Sequence, residues 1–537
     1  MIFKLNKINP IDIFFIVLFF SLSTFILLES YILGFYISPD SSNYLLAAQS
    51  LLDGNGFWYL RNAGFDDAYF AVWPIGYPFM IFFISFLTGL EVYLASKILT
   101  IITILLLIIT IRFLLEEISL FLALILLNPG FLLIILFTWT ELIFILLNIW
   151  LIILLIKIRN QNRPKFILYI FLISVSVGMF LFRYIGAYSI GIIIIFLLYQ
   201  TLGKKQDNGF LKRKILYLLV SILLSSLIMS GYLLKNLHYS GYMTGYERRP
   251  PYESLFQLLT MLAVGLGREV VNLFIVFDTL NGLRFLLAIG AIMFIISIKL
   301  IKQSSTLIIK SLKTFNNFND LNIFIEDNFN PILFILSGFV YYFAISIMRF
   351  TAHFDSLNYR LLFPGTILIF IGAVDFLNIK KTYIRRVLQN FSFQKAILIG
   401  LFFFVFLNSV SLARLTQNIL YGQEITGFRY ERNRVTEKFN HLTSNQIIIT
   451  EDRNLRFIRT DLLVQNPTGV SVEEFVIRVR QQSNADILID VQSLPQIRER
   501  IQVSRSHHES FVLLFDRLKL SEEDFVNLEL IYEEFVD

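Results

Sequence analysis

The chain has 537 residues, 56% of them hydrophobic and only 16% charged, with a formal net charge of +6 and no cysteine. A soluble globular domain is about 45–50% apolar and about one-quarter charged, so a mean hydropathy of +0.67 excludes an ordinary soluble fold and points to a bilayer. The absent cysteine removes disulfide, Cys-zinc and thiol chemistry, and the basic residues sit in short clusters between apolar runs, which specifies membrane topology rather than nucleic-acid binding.

The N-terminal MIFKLNKINP places two lysines before an apolar run too long for a signal-peptide core. With no small-x-small cleavage site, that run reads as a retained first span. About eleven transmembrane helices are expected, near 11–35, 91–113, 118–136, 141–157, 166–182, 187–203, 215–234, 283–301, 331–349, 361–378 and 396–414. The shorter stretch 74–89 opens with Pro74, Gly76 and Pro78 and reads as a half-buried or re-entrant helix.

Orientation follows from Lys and Arg. One set of loops carries Lys4 and Lys7, then Lys157, Arg159, Arg163 and Lys165, then Lys204, Lys205, Lys212, Arg213 and Lys214. It continues with Lys380, Lys381, Arg385 and Arg386, while the alternating loops are poor in both residues. The N-terminus is therefore expected in the cytoplasm and the C-terminus outside. The spans are largely bare of midplane charge, and their polar candidates collect at the outer ends. Residues 1–414 form the expected membrane domain, with a first outer loop at 36–73. Residues 415–537 shift to polar composition and form a second domain. Strand-like runs at 446–450, 462–465 and 486–491, and a helical period over 471–482, predict a small α/β module there.

The first outer loop begins Ser38-Pro39-Asp40-Ser41-Ser42-Asn43. Pro39-Asp40-Ser41 is a helix-start signal. Leu45, Ala48 and Leu52 recur on one side, and Asp53-Gly54 ends the helix, so an amphipathic helix on the outer surface is expected. Asp40 has two readings: a helix N-cap, or a carboxylate held at the membrane–water boundary.

The run PDSSNYLLAAQSLLDGNGF, followed by WPIGYP at 73–78, resembles the GT-C glycosyltransferases, and in particular bacterial relatives of the dolichyl-phosphate-mannose protein mannosyltransferases. The same family resemblance extends to Thr140-Glu141, to Arg183-Tyr184-Ile185-Gly186 and to Lys235-Asn236 followed by Gly241 and Gly245-x-x-Arg248. It also takes in Tyr359-Arg360 ahead of Pro364. Two departures stand out: Ser41 replaces the commoner Glu beside the aspartate, and Lys235 replaces the commoner Arg.

The resemblance implies an all-α polytopic membrane fold of GT-C type. It implies an integral membrane hexosyl- or pentosyltransferase; the plasma (inner) membrane is the expected location because Phe535-Val536-Asp537 carries no endoplasmic-reticulum retention signal. The donor would be a polyprenyl-phosphate-linked sugar, transferred with inversion to a glycan, lipid or protein acceptor on the extracytoplasmic side.

Such a transfer needs a carboxylate to take the acceptor's proton and cations to stabilise the departing phosphate. Asp40 and Glu141 are the candidate catalytic carboxylates, with Glu141 also readable as a first-turn acid favoured by the helix dipole. Arg183, Lys235, Arg248, Tyr359 and Arg360 are the candidates for the lipid phosphate, and lipid-headgroup contact is the competing reading for the cations. Tyr44, Trp73 and Tyr77 are candidate sugar or acceptor contacts, or members of an interfacial aromatic belt. No residue set has zinc-ligand spacing, and no cofactor is expected. A transporter or flippase of a lipid-linked substrate, and a surface-polysaccharide polymerase or ligase, are the alternative functions.

Overall fold

Helix formation begins at Asn9, whose Oδ1 accepts the Ile11 N–H at 3.0 Å and satisfies one orphan donor of the first turn. The computed structural model describes residues 9–60, 67–115, 119, 126–161, 164–202, 209–246, 248, 250–271, 326–353, 357–379, 429–431, 446–449, 463–465 and 486–489.

In chain order the elements are α1 (Pro10–Leu27, continued by a π-helical turn over Leu28–Ile32), β1 (Gly34–Tyr36), α2 (Pro39–Leu52), β2 (Trp58–Leu60) and β3 (Asp67–Tyr69). There follow α3 (Gly76–Thr88), α4 (Val92–Leu115), α5 (Pro129–Leu136), α6 (Glu141–Asn160) and α7 (Phe166–Phe182). Next come α8 (Tyr188–Leu202), α9 (Gly209–Ser240), α10 (Leu255–Val271), α11 (Phe329–Thr351) and α12 (Tyr359–Ile379). The tail contributes β4 (Arg429–Glu431), β5 (Gln446–Ile449), β6 (Leu463–Gln465) and β7 (Asp486–Ile489).

Six stretches of the described residues are long and apolar enough to cross a membrane: Pro10–Ile32, Val92–Leu115, Glu141–Asn160, Tyr184–Thr201, Phe210–Ser240 and Phe329–Thr351. Shorter apolar helices cover Gly76–Thr88 and Phe166–Phe182, where the sequence predicts a re-entrant helix and a span. The predicted spans near 283–301 and 396–414, and the predicted helix 471–482, lie outside the described residues, and 118–136 is described only in part. Two differences from expectation are informative. Helix α10 occupies a stretch read as outer loop, because Gly265, Gly267 and Arg268 break up its apolar run. The other is Lys97 near the start of α4, which is fully buried with its Nζ 4.7 Å from the Tyr93 ring centroid, a burial the sequence does not signal.

The chain divides into two compact units, one of residues 1–26, 72–76 and 100–425, the other of 27–71, 77–99 and 426–537. In the first, α11 and α12 cross closely because glycines remove side chains from the contact. A Cβ on Gly338 would lie 2.6 Å from Ile369 Cγ1, and one on Gly372 would lie 2.6 Å from the Pro331 carbonyl oxygen. Small residues at a crossing are how apolar helices gain dispersion contact in lipid. Below the helix ends, Phe144, Tyr188 and Tyr341 meet ring to ring, with centroids 5.5–6.4 Å apart. At α10, Ser254 and Gln257 form a reciprocal capping box: Gln257 N–H donates to Ser254 Oγ, and Ser254 N–H to Gln257 Oε1. Beside it, Glu253 accepts from the buried Arg349 of α11, and His353 Nδ1 lies 3.7 Å from its other oxygen.

In the second unit, Tyr44, Tyr59, Phe70 and Tyr77 form an aromatic core with centroids 5.3–6.4 Å apart. Strands β2 and β3 pair antiparallel, and β5 lies between β6 and β7 in a parallel sheet, matching the predicted strands of the tail. Strand β1 pairs antiparallel with β4, Phe35 opposite Tyr430. Tyr93 of α4 holds β1 from the side, its hydroxyl accepting the Tyr36 N–H at 3.0 Å.

Two outcomes check these contacts. The cysteine-free chain carrying Phe35→Cys and Tyr430→Cys should form an intramolecular disulfide under mild oxidation, seen as a mobility shift reversed by reductant. The hydrogen bond from Arg349 is the main reason that Glu253 keeps its carboxyl below the ordinary range. A depressed folded value stabilises above the unfolded value of about 4.3 and is lost as pH falls through the folded one. Hydrogen exchange over 250–256, corrected for intrinsic rates, should therefore be slow at neutral pH and speed up in acid. Arg349→Met should abolish both the protection and its pH dependence.

Candidate functional site

Three helix ends build the site. Helix α6 starts at Glu141, where an acid is favoured by the dipole. Helix α7 stops at Arg183, whose extended backbone (φ −150°, ψ 129°) leaves its N–H bonded to the Met179 carbonyl at 3.0 Å. The chain then makes a tight 3-10 turn over Tyr184–Ala187. Gly186 is required there, since a Cβ would lie 2.3 Å from the Met179 carbonyl carbon and oxygen. Gly76 of the WPIGYP run packs against the same helix end, with a notional Cβ 2.6 Å from the Leu181 carbonyl oxygen. Helix α12 is opened by Asn358, whose Oδ1 accepts the Leu361 N–H at 3.2 Å, placing Arg360 in the first turn.

These ends bring Glu141, Arg183 and Arg360 together. Arg360 Nε donates to Glu141 Oε1 at 2.6 Å, and Arg183 Nη1 donates to the same oxygen. Glu141 is fully buried, and both arginine side chains are 13% exposed. The second carboxylate oxygen, Oε2, is buried with no hydrogen-bond partner among the described residues. The Arg360 guanidinium lies 4.4 Å from the Trp139 ring, which stacks on Phe137 at 4.1 Å, and the Arg183 guanidinium lies 5.9 Å from Phe144. Tyr341 donates to the Leu361 carbonyl at 2.7 Å and so fixes the turn that carries Arg360.

Among the described residues the cluster sets two guanidiniums against one carboxylate, and α6 and α12 begin beside it with their amino-terminal ends. The cluster lies at the end of α6 opposite Lys157 and Arg159. Glu141 braces the two arginines through one of its oxygens.

Asp40 stands in the other unit. The N-cap of α2 is Ser38, whose Oγ accepts the Ser41 N–H at 3.2 Å, with Pro39 in the first turn. The cap reading of Asp40 is thereby corrected, because the chain enters the helix two residues earlier. Asp40 sits half-buried in the first turn. Asn43 steadies that turn by donating to the Pro39 carbonyl at 2.7 Å while accepting from Tyr59 Oη at 3.1 Å.

Of the aromatic candidates, Tyr44 and Tyr77 are buried and meet edge to face at 5.4 Å, and Trp73 is half-buried. Lys235 and Arg248 are exposed, and Arg248 donates to Tyr246 Oη at 2.6 Å and Thr244 Oγ1 at 3.2 Å. The structure does not bring either to Glu141. Between them, the buried Asn236 donates to Tyr184 Oη at 2.9 Å. The side chain of Tyr359 lies outside the described residues. No group of three or more metal-ligating side chains occurs among the described residues. Sequence reasoning missed Trp139, Phe144 and Tyr341, although an aromatic two residues before a span-end acid was a legible signal for the first.

Neither a protein-family profile nor any curated protein matches the sequence. Among solved structures, the chain is similar to ArnT from Cupriavidus metallidurans in the apo state, at 12% identity and a TM-score of 0.48, over 90% of this chain and 91% of that one. ArnT bound to undecaprenyl phosphate is similar at 12% identity and 0.47, over 88% and 89%. The archaeal oligosaccharyltransferase AglB from Archaeoglobus fulgidus, with an inhibitory peptide and a dolichol-phosphate, is similar at 10% identity and 0.45, over 86% and 65%.

Removing one partner of a buried ion cluster strands the others, at a cost of about 3–5 kcal/mol. Glu141→Gln, which leaves two arginines facing each other, should lower the thermal midpoint in detergent markedly. Lys235→Gln, at an exposed site, should leave it unchanged.

Proposed function

We propose that the chain is a plasma-membrane glycosyltransferase that takes a sugar from a polyprenyl-phosphate donor on the extracytoplasmic side, with inversion at the anomeric carbon. The observation that carries this reading is the buried Glu141–Arg183–Arg360 cluster, two arginines gathered on one carboxylate where three helices end or begin. Arg183 and Arg360 bind the donor phosphate as it departs, since a guanidinium matches phosphate oxygens as a fork. Glu141 is assigned to positioning them, because both arginines already occupy one of its oxygens. Asp40 is the base. It takes the acceptor hydroxyl proton while that oxygen attacks the anomeric carbon, and the bond to phosphate breaks with its electron pair passing to the phosphate. Trp73 is retained as a sugar contact; Tyr44 and Tyr77 support α2 from within the core.

A second reading, transport of a lipid-linked substrate, draws on one observation: Lys97 is buried within an apolar helix, and intramembrane charge marks substrate paths in transporters.

Purified protein should turn over one member of a panel of labelled polyprenyl-phosphate sugars, releasing polyprenyl phosphate when membrane extract supplies the acceptor. Asp40→Asn should keep donor affinity while losing about 10²- to 10⁴-fold in kcat. Arg360→Lys should weaken donor binding by about 1.5–3 kcal/mol, roughly 10- to 150-fold. Equal turnover by wild type and Asp40→Asn would exclude Asp40 as base. Lipid movement across vesicles without turnover of any donor would establish the transport reading.

A further inference from the structure

The loop that joins α9 to α10 exposes more aromatic surface than a water-facing loop sustains. Tyr242, Met243 and Tyr246 are exposed, and Tyr252, Leu255 and Phe256 are 72%, 65% and 78% exposed. The segment is nevertheless well built. Gly241 and Gly245 take positive φ (77° and 80°) and turn the chain, and Asn236 donates to the Met243 carbonyl at 3.1 Å. The Ser254–Gln257 capping box fixes the start of α10, and Glu253 ties that start to Arg349 at the end of α11. Further along, Gly265 packs on Leu357, with a notional Cβ 2.5 Å from its carbonyl oxygen. The backbone that carries these side chains is therefore fastened at both ends, and Tyr252, beside the His353 ring at 4.9 Å, still leaves most of its surface exposed.

Where the segment sits decides what it meets. Helix α9 has 32 residues, about 48 Å at 1.5 Å per residue, against a hydrocarbon core of about 30 Å. Its last turns therefore leave the core and deliver the loop to the interfacial layer, where amphipathic aromatic rings are favoured. Charge points the same way. Lys235 and Arg248 are exposed on this segment, while Glu253 is already paired with Arg349. The surface is thus apolar with a cationic fringe, the complement of a lipid surface with phosphate headgroups.

We propose that residues 241–259 form a membrane-surface anchor. Tyr252, Leu255 and Phe256 enter the interfacial layer of the bilayer, and Lys235 and Arg248 lie against headgroup phosphates. The anchor fixes the distance between the bilayer surface and the ends of α9 and α11, whatever reaction the protein performs.

Because the chain has no cysteine, single nitroxide labels at Tyr252→Cys and Phe256→Cys test the proposal in nanodiscs of phosphatidylcholine and phosphatidylglycerol. Labels at Leu227→Cys on α9 and at Asn55→Cys in an exposed loop supply the lipid and water references, and size-exclusion profiles confirm folding. The anchor predicts that oxygen relaxes both test labels more than a water-soluble nickel chelate does, as at position 227. Relaxation dominated by nickel, as at position 55, overturns it. Shielding from both reagents also overturns it, since the surface would then be covered by protein. With Lys235→Gln and Arg248→Gln added, the label at 252 should become several-fold more accessible to nickel. No change would remove the two cations from the anchor.

Discussion

Two guanidiniums share one carboxylate oxygen in a place almost closed to water, and the arrangement of the surrounding helices depends on that contact. A buried charge without a partner costs several kcal/mol, and Glu141 supplies one to both Arg183 and Arg360. The contact fixes where α6 begins, where α7 stops and where α12 begins. The supporting features serve the same end. Gly186 allows the tight turn after Arg183, Asn358 caps the helix of Arg360, and Tyr341 holds that helix's first turn by its carbonyl. Trp139 and Phe144 offer ring faces to the cations. The result is two guanidiniums held in fixed places about one carboxylate.

The second unit is organised around a different constraint, the backbone hydrogen bonding of a loop between two helices. Asp40 lies in a short helix whose first turn is satisfied by Ser38, Asn43 and the Pro39 carbonyl. Strand β1, just before it, would be a bare edge if β4 from the tail did not pair with it. The tail is thus part of the structure that presents the aspartate, and Tyr93 adds a lateral hold through the Tyr36 amide.

Much of this was legible in the sequence. The ends of α2 could be read because Pro39 and Asp53-Gly54 are local punctuation, and β5, β6 and β7 stand out as apolar runs bounded by polar residues. Arg183, Arg360 and Glu141 could be nominated because charge at a span end is rare enough to be informative. Their convergence could not be read, since they are 42 and 219 residues apart from Glu141 along the chain. Asp40 was mistaken for a possible cap because Ser38 and Asp40 both suit that role, and only the path of the backbone decides between them. Helix α10 was missed because two glycines and an arginine interrupt its apolar period, although Ser254 and Gln257 spelled out its start. Lys97 escaped notice because a lone lysine near a span end resembles an interfacial residue, while the fold buries it completely.

The central claim is that Arg183 and Arg360, braced by Glu141, bind the phosphate of a lipid-linked donor. An experimental structure of the protein in a nanodisc with a polyprenyl phosphate tests it most directly. The account predicts phosphate density within hydrogen-bond reach of both guanidiniums, with Glu141 still between them. A phosphate bound elsewhere, with the cluster unchanged and unoccupied, would contradict it and reduce the three residues to a structural brace.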